Sequence, residues 1–156
     1  MERVLTTTKI VLIGAGSHAF ASKLIMDFMT YPELNRSTIT LMDIDPERLK
    51  LITAYAKKLT KQHDFKTKIE STTNRLIALK DADYAIVTIR VGGDESKFVD
   101  IHIPSKYGIK QGIGDTIGPG GVFYGLRHIP VLLDICHDME DYALMLGSST
   151  TRILWL

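Results

Sequence analysis

The sequence predicts an α/β fold with a doubly wound parallel sheet, and two observations support this prediction. Short apolar runs rich in branched residues alternate along the chain with longer stretches in which apolar residues recur at helical spacing. Connections of helical length between such strands imply right-handed crossovers, which place helices on both faces of a parallel sheet. A length of 156 residues, 45% of them hydrophobic, suits one compact domain.

The first half of the chain contains two clear pairs of strand and helix. Each strand is an apolar run of mainly branched residues, typical of a strand buried on both faces. Ser17 and Asp45 stand where helix caps belong, and Pro46 suits a first helical position. Strands are expected at 9–14 and 38–43, and helices at 17–30 and 46–61. The apolar face of the first helix is expected to comprise Phe20, Leu24, Ile25 and Phe28.

The second half continues the alternation of strands and helices and then becomes rich in glycine. Pro130 is expected to bend the last helix or to begin its second part. No convincing fifth strand follows that helix, so we expect a sheet that is incomplete at its carboxyl end, with an unpaired edge and an exposed apolar face. Strands are expected at 68–71 and 84–89, helices at 75–80, 95–107 and 122–140, and a glycine-rich loop at 112–121.

Composition narrows the possible partners. Nineteen basic and eighteen acidic residues are scattered and give a net charge of +1, which argues against nucleic acid or a membrane surface as partner and favours a small, roughly neutral ligand. No apolar stretch reaches the roughly 20 residues that span a bilayer. The single cysteine, Cys136, excludes an internal disulfide and has apolar neighbours typical of a packed helix. A cytoplasmic location is expected.

A dinucleotide fingerprint lies where the first strand meets the first helix. Residues 14–19 read Gly-Ala-Gly-Ser-His-Ala, with alanine at the third glycine position. Gly14 permits the tight turn, Gly16 lets a pyrophosphate approach the backbone, and Ala19 is expected to let helix and strand pack closely. Ser17 can add a hydroxyl, and free amides at the helix start can hold phosphates. The predicted fold is therefore Rossmann-like.

An acid at the end of the second strand bears on the choice of cofactor. Asp43 can accept hydrogen bonds from ribose hydroxyls and repel a phosphate there, which favours NAD over NADP. Arg48 lies close enough in the sequence to soften that preference. In the alternative interpretation, Gly14 and Gly16 only shape a turn and Asp43 only caps the next helix.

A longer motif in the second half resembles a known family. Residues 112–122 read Gly-Ile-Gly-Asp-Thr-Ile-Gly-Pro-Gly-Gly-Val and are followed by Arg127-His-Ile-Pro130. This pattern resembles the loop and helix that follow the nucleotide domain in family 4 glycoside hydrolases. The same family pattern occurs at 9–17, 41–49, 81–86 and 103–108, so the resemblance makes residues 1–141 an NAD-binding domain.

Membership of that family would imply a glycosidase with a redox route, an exception to the usual pair of carboxylates. In the family, NAD takes a hydride from sugar carbon 3, a divalent metal, usually Mn2+, stabilises the ketone, and a tyrosine removes the proton of carbon 2. The glycosidic bond then leaves by elimination. The resemblance implies an O-glycosyl substrate such as an α-galactoside or a related sugar, and a homo-oligomer for the full-length family.

The resemblance also assigns roles to single positions. Asp115 matches the acid that raises the basicity of the family's tyrosine, and the minor alternative is a cap for the glycine loop. Gly92 and Gly93 are expected to bind the cofactor, and the Gly118–Gly121 stretch to pass near it. Arg90 and Lys97 are candidates for contact with the substrate, and for Lys97 a solvated side chain is an equal alternative. Lys97 stands where phosphosugar members carry an arginine, whereas Gly93 and the Gly-Asp-Thr sequence resemble members that act on unphosphorylated sugars. The five histidines are expected to be structural or exposed: His18, His63, His102, His128 and His137.

The last fifteen residues depart from the family pattern. The family continues with a buried strand and an Asn-Tyr-x-Asn-Pro-Met segment. One back-translation of residues 142–156, read in a shifted frame, encodes a peptide that contains Asn-Tyr-Ala-Asn-Pro-Met. We therefore expect an aberrant, frameshifted tail at 142–156. The catalytic and metal domain would then be missing, its ligands and tyrosine would lie beyond Leu156, and this chain would lack glycosidase activity. The codons of the gene test this.

Two other functions share the predicted nucleotide domain. A fragment of a lactate- or malate-type NAD-dependent dehydrogenase would have the same strands, but its loops do not carry Gly-Asp-Thr-x-Gly-Pro-Gly-Gly. A non-catalytic NAD-binding module is the other alternative. Calorimetry with NAD tests the module.

Overall fold

A parallel sheet flanked by helices forms the architecture of the chain. The computed structural model describes residues 8–112, 117–146 and 152–155, with side chains described for 8–112 and 117–141. Strands and helices alternate from the first strand to the fourth, which confirms the predicted α/β class. In chain order the elements are β1 (Lys9–Ile13), α1 (His18–Thr30), β2 (Thr38–Met42), α2 (Pro46–Gln62), β3 (Lys68–Thr72), α3 (Arg75–Leu79), β4 (Tyr84–Val87), α4 (Gly93–Lys106), α5 (Gly118–Leu146) and β5 (Arg152–Trp155).

The sheet has the strand order β3-β2-β1-β4-β5, and all of its pairs are parallel. These are the first five positions of the doubly wound order 3-2-1-4-5-6. Ile13, the last residue of β1, is in register with Met42 of β2 and with Val87 of β4. The direction of strand succession reverses at β1, so the expected ligand crevice lies beyond the carboxyl ends of β1 and its neighbours.

The expectation that no fifth strand follows the last helix is wrong. β5 pairs with β4 from Tyr84 opposite Arg152 to Val87 opposite Trp155. The segment Arg-Ile-Leu-Trp is short, but a branched residue and an aromatic one favour a strand. Because β4 is paired on both sides, the unpaired edge predicted there does not exist.

The chain divides into two compact units. One comprises residues 1–89 and 139–156, and the other comprises residues 90–138. The first unit contains the sheet and its core, whose strands and helices contribute fully buried side chains. Examples with at most 1% exposure are Val11, Leu12, Ile25, Met29, Ile39, Leu41 and Ala56.

Helix α1 packs by a face slightly different from the predicted one. Phe20 is 59% exposed, and Ala21, Ile25 and Met29 are the buried residues. The expectation for Phe20 is therefore wrong, because the small Ala21 rather than the bulky Phe20 faces the core cluster. Leu24 and Phe28 are partly buried against that cluster, as a shared helical face requires.

Helix α5 begins earlier than predicted. Gly118 to Gly121 form its first turn, so this part of the expected glycine loop is helical. The helix continues through Pro130, which therefore does not begin a second helix. None of the described helices combines the length and apolar character needed to cross a membrane.

Candidate functional site

The turn between β1 and α1 is held between the ends of two neighbouring strands. The amides of Gly14 and Ala15 both donate to the carbonyl of Met42, at 2.9 and 3.0 Å. Gly14 has a φ of +88°, and a Cβ atom there would lie 2.5 Å from the carbonyl oxygen of Thr88. The left-handed backbone and the close carbonyl both require glycine at this position.

The second fingerprint glycine meets the acid at the end of β2. The amide of Gly16 donates to Oδ2 of Asp43 at 2.7 Å, and the other carboxylate oxygen accepts from the amide of Asp45 at 2.9 Å. A Cβ atom on Gly16 would lie 2.7 Å from the same Oδ2 and 2.9 Å from Cβ of Arg48. Asp43 thus joins the turn after β1 to the turn after β2. Each carboxylate oxygen retains a further lone pair for a ligand.

The alternative in which Asp43 only caps the next helix is wrong. The cap of α2 is Asp45, whose Oδ1 accepts from the amides of Glu47 at 2.9 Å and Arg48 at 3.1 Å. Asp43 is half-buried and directed to Gly16 instead. It is therefore part of the glycine turn rather than of the helix cap.

The amino end of α1 is open to an anion. Ser17 occupies the N-cap position, as predicted, but its side chain makes no capping hydrogen bond. The first bond within the helix runs from Ala21 N to Ser17 O, so the amides of residues 18–20 have no acceptor within the helix. The other three helices of β1 to α4 have a side-chain cap or first-turn acids: Asp45 for α2, Asn74 for α3, and Asp94 with Glu95 for α4. Of these four helices, α1 alone has neither a side-chain cap nor an acid in its first turn, and the nearest carboxylate is that of Asp43 on the amide of Gly16.

Two further predicted residues of this turn differ in environment. Ala19 is exposed, so its expected role in close packing of helix and strand is wrong; the buried alanines here are Ala15 and Ala21. The Cβ atom of Arg48 lies beside Gly16. Its guanidinium is directed to Asp45, with Nε 3.3 Å from Oδ2, and not to Asp43.

The predicted cofactor and substrate residues after β4 belong to the second unit. Gly92 and Gly93 have φ values of +84° and +61°, and a Cβ on Gly93 would meet open space. Arg90 and Lys97 are exposed. Asp115 lies outside the described residues. The first unit therefore contains one group of predicted site residues: Gly14, Gly16, Ser17 and Asp43. The second unit contains the other group: Arg90, Gly92, Gly93 and Lys97.

Sequence reasoning missed a buried polar cluster within the second unit. Arg127 of α5 makes a bidentate ion pair with Asp100 of α4, with Nη1 to Oδ1 at 2.9 Å. Asp100 is 2% exposed, and its hydrogen bonds raise the pKa of the Arg127 guanidinium. The neighbouring His128 is 1% exposed and bonded to the backbone of Val91. The family-like Arg127-His128 dipeptide was the available signal, whereas nothing in the spacing of Asp100 pointed to its partner.

The remaining histidines are as predicted. His18, His63, His102 and His137 are exposed, and His128 is structural. Within the described part of the chain, no group of three or more His, Cys, Asp or Glu side chains could hold a metal ion.

A glycine turn at the centre of a doubly wound sheet, an open helix end and an acid after the second strand together characterise the dinucleotide-binding domains of redox enzymes. Residues 9–145 match the model of the family 4 glycosyl hydrolases. This chain therefore belongs to that family, as the sequence motifs predicted.

Relatives in the family are much longer than this chain. An α-galactosidase of Rhizobium meliloti is 41% identical over 139 residues, which are 89% of this chain and 28% of that protein. An α-galactosidase of Bacillus subtilis is 42% identical over 134 residues, 85% of this chain and 31% of that protein. The chain thus spans less than a third of the length of these relatives.

Solved structures agree with the assignment of the fold. A 6-phospho-β-glucosidase from Thermotoga maritima, solved with manganese, NAD+ and glucose-6-phosphate, has a TM-score of 0.81 and 27% identity, over 96% of this chain and 34% of that one. A malate dehydrogenase from Salinibacter ruber reaches a TM-score of 0.59 at 12% identity, over 96% of this chain and 36% of that one. The second likeness concerns the fold alone.

Proposed function

We propose that this chain binds NAD at the turn between β1 and α1, as the nucleotide-binding part of an NAD- and divalent-metal-dependent glycosidase. The observation that carries the proposal is the hydrogen bond between the amide of Gly16 and the carboxylate of Asp43. This bond brings Gly16 of the dinucleotide fingerprint next to Asp43, the acid at the position that binds ribose hydroxyls in such domains. The relative from Thermotoga maritima, solved with NAD+, supports the choice of cofactor.

The residues present fit NAD in three ways. Gly14 and Gly16 lie so close to the carbonyl of Thr88 and the carboxylate of Asp43 that only glycine fits, and these contacts hold the turn in the shape that dinucleotide-binding domains use. The open amides of residues 18–20 and the helix dipole supply the positive end for its charge, with the Ser17 hydroxyl beside them. The free lone pairs of Asp43 accept from the ribose hydroxyls. When bound, NAD supplies the hydride acceptor that the family's chemistry requires.

The substrate of the whole enzyme is proposed to be an α-galactoside or a related unphosphorylated sugar. The α-galactosidases of Rhizobium meliloti and Bacillus subtilis, at 41% and 42% identity, support this choice. In this proposal Arg90 and Lys97 bind the sugar, while Gly92 and Gly93 keep the cofactor's approach free of side chains. A cytoplasmic location and a homo-oligomeric parent enzyme belong to the same proposal.

The metal and the base of the reaction are proposed to come from outside the described residues. In this proposal Asp115 raises the basicity of the tyrosine that acts as the base. We further propose that residues 1–141 are the family's nucleotide domain and that 142–156, which include β5 of the sheet, are a frameshifted tail, for which the codons of the gene remain the test.

Isothermal calorimetry of the full chain with NAD tests the cofactor proposal. We expect saturable binding that Gly16→Ala weakens at least about tenfold, because the added methyl group would overlap Asp43 Oδ2. Gly125→Ala is the matched control, since a Cβ there meets only Ile129 Cδ1, at 3.7 Å. Absence of NAD binding, or equal affinity in both variants, would contradict the proposal.

A comparison of cofactors sharpens the same experiment. NADP should bind more weakly than NAD, because its ribose phosphate would face the Asp43 carboxylate. A preference for NADP would point to Arg48 as the residue that decides cofactor choice and would contradict the role given to Asp43.

A further inference from the structure

His128, in the middle of α5, is a buried histidine with both ring nitrogens engaged. Its Nε2 accepts a hydrogen bond from the amide of Val91 at 3.0 Å. Its Nδ1 lies 2.8 Å from the carbonyl oxygen of Tyr124, one turn earlier in the helix. A carbonyl can only accept, so the proton is on Nδ1 and Nε2 is the acceptor. The ring is therefore neutral and held in one tautomer.

The residue that His128 holds begins an unusual backbone turn. Val91 is followed by Gly92 and Gly93, both in the left-handed region. The turn's own backbone bonds are long, with Gly93 N to Arg90 O and Ser96 N to Gly92 O both at 3.3 Å. Such bonds are weak constraints on two glycines that have wide conformational freedom. The Ser96 hydroxyl also donates to the carbonyls of Val91 and Gly93, at 3.2 and 2.9 Å, within the same segment. The bond from the Val91 amide to His128 is the one that joins the turn to α5.

The histidine is itself held rigidly by its surroundings. The ring of Tyr124 stacks on it, with centroids 3.6 Å apart and planes at 18°. The adjacent Arg127 makes the bidentate pair with Asp100 on α4, the helix that follows the turn. Two consecutive residues of α5 thus bind the start of the turn and the helix after it.

We propose that His128 is a positioning residue, whose neutral imidazole fixes the Arg90–Gly93 turn and thereby presents Arg90 and the two glycines in one arrangement. This inference rests on the proposed function, which assigns those residues to the cofactor and the sugar. It assigns His128 no contact with either ligand.

Hydrogen exchange of the Val91 amide, followed by NMR in the full chain, measures the bond directly. His128→Phe keeps a flat ring but removes the acceptor, and we expect Val91 to exchange at least about tenfold faster. His128→Gln offers an amide oxygen at a similar reach and should restore most of the protection. His137→Phe, an exposed position on the same helix, is the matched control and should leave Val91 unchanged.

Amides within the second unit, such as that of the buried Ile135 in α5, separate a local effect from loss of that unit's fold. Faster exchange at Val91 with unchanged exchange at Ile135 supports the proposal. Equal exchange at Val91 in His128→Phe and the unaltered chain would overturn it, as would failure of His128→Gln to restore protection while Ile135 stays protected.

The NAD affinity of the same variants tests whether the Arg90–Gly93 turn affects cofactor binding. We expect His128→Phe to weaken binding several-fold and His128→Gln to recover it. If Val91 responds but the affinity does not, the assignment of the turn to the cofactor is overturned. If the unaltered chain binds no NAD, the proposed function fails while the exchange result still decides the role of His128.

Discussion

At the scale of single residues, Asp43 serves two purposes with one carboxylate. It accepts the amides of Gly16 and Asp45 and so fixes two turns, while its remaining lone pairs face the proposed ribose site. The sequence predicted Gly16 and Asp43 individually, from a fingerprint and from the end of a strand. It could not predict that they bond to each other, because a contact across 27 residues depends on the strand register.

Asp43→Asn should weaken NAD binding by roughly tenfold and narrow the preference for NAD over NADP. An asparagine has one side-chain oxygen, so it can accept from only one of the two amides, and it carries no charge to repel a ribose phosphate. Calorimetric affinities for both cofactors measure the two effects.

The control for this substitution is Asp64→Asn. Asp64 is exposed, and its φ of +51° is one that asparagine tolerates, so the same charge is removed away from the turn. An unchanged ratio of the two affinities in Asp43→Asn would show that this acid does not select the cofactor.

At the scale of elements, the boundaries followed most closely from the sequence where a local signal existed. Helix α2 begins at Pro46, as predicted, because Asp45 and the proline specify its start without tertiary help. Strand β5 was missed since four residues are too few to show a period, and its pairing with β4 decides its structure. The exposure of Phe20 depends on packing, which helical spacing alone cannot resolve.

The ion pair between α4 and α5 leads to a stability prediction. Arg127→Leu leaves the carboxylate of Asp100 buried without its partner and should cost about 3 kcal/mol of the free energy of unfolding. Combining it with Asp100→Leu should recover most of that loss, because the buried charge is then absent. Urea unfolding of the single and double variants measures both steps.

An exposed pair supplies the contrast for this experiment. Lys66 and Asp64 lie 2.9 Å apart with side chains 63% and 91% exposed, so Lys66→Leu should cost less than about 1 kcal/mol. A loss for Arg127→Leu no greater than that for Lys66→Leu would mean that solvent screens the pair of Asp100 and the partly exposed Arg127 as well.

At the scale of the whole molecule, the fold followed from the sequence more completely than the site did. The alternation of strands and helices fixes a doubly wound sheet through general rules of connection. The polar cluster of Asp100, Arg127 and His128 has no such rule behind it, since it depends on how α4 and α5 approach each other.

Removal of β5 should affect the sheet as a whole. A chain ending at residue 146 would leave β4 with unpaired backbone groups along one side, which favours pairing with other molecules. We expect a lower melting temperature and a larger apparent size in gel filtration than for the full chain at equal concentration. A shortened chain that melts as the full chain does and stays the same size would show that β5 contributes nothing to the sheet.

The strand order also bears on folding during synthesis. Of the five strands, β1 is synthesised first and lies at the centre of the sheet. Each later strand joins an outer side, with β2 and β3 on one side and β4 and β5 on the other. A growing chain can therefore add strands outward without displacing any strand already in place. Domains generally fold as units during synthesis, from the amino end. In this arrangement the turn between β1 and α1 is flanked by both β2 and β4 only after β4 has emerged from the ribosome.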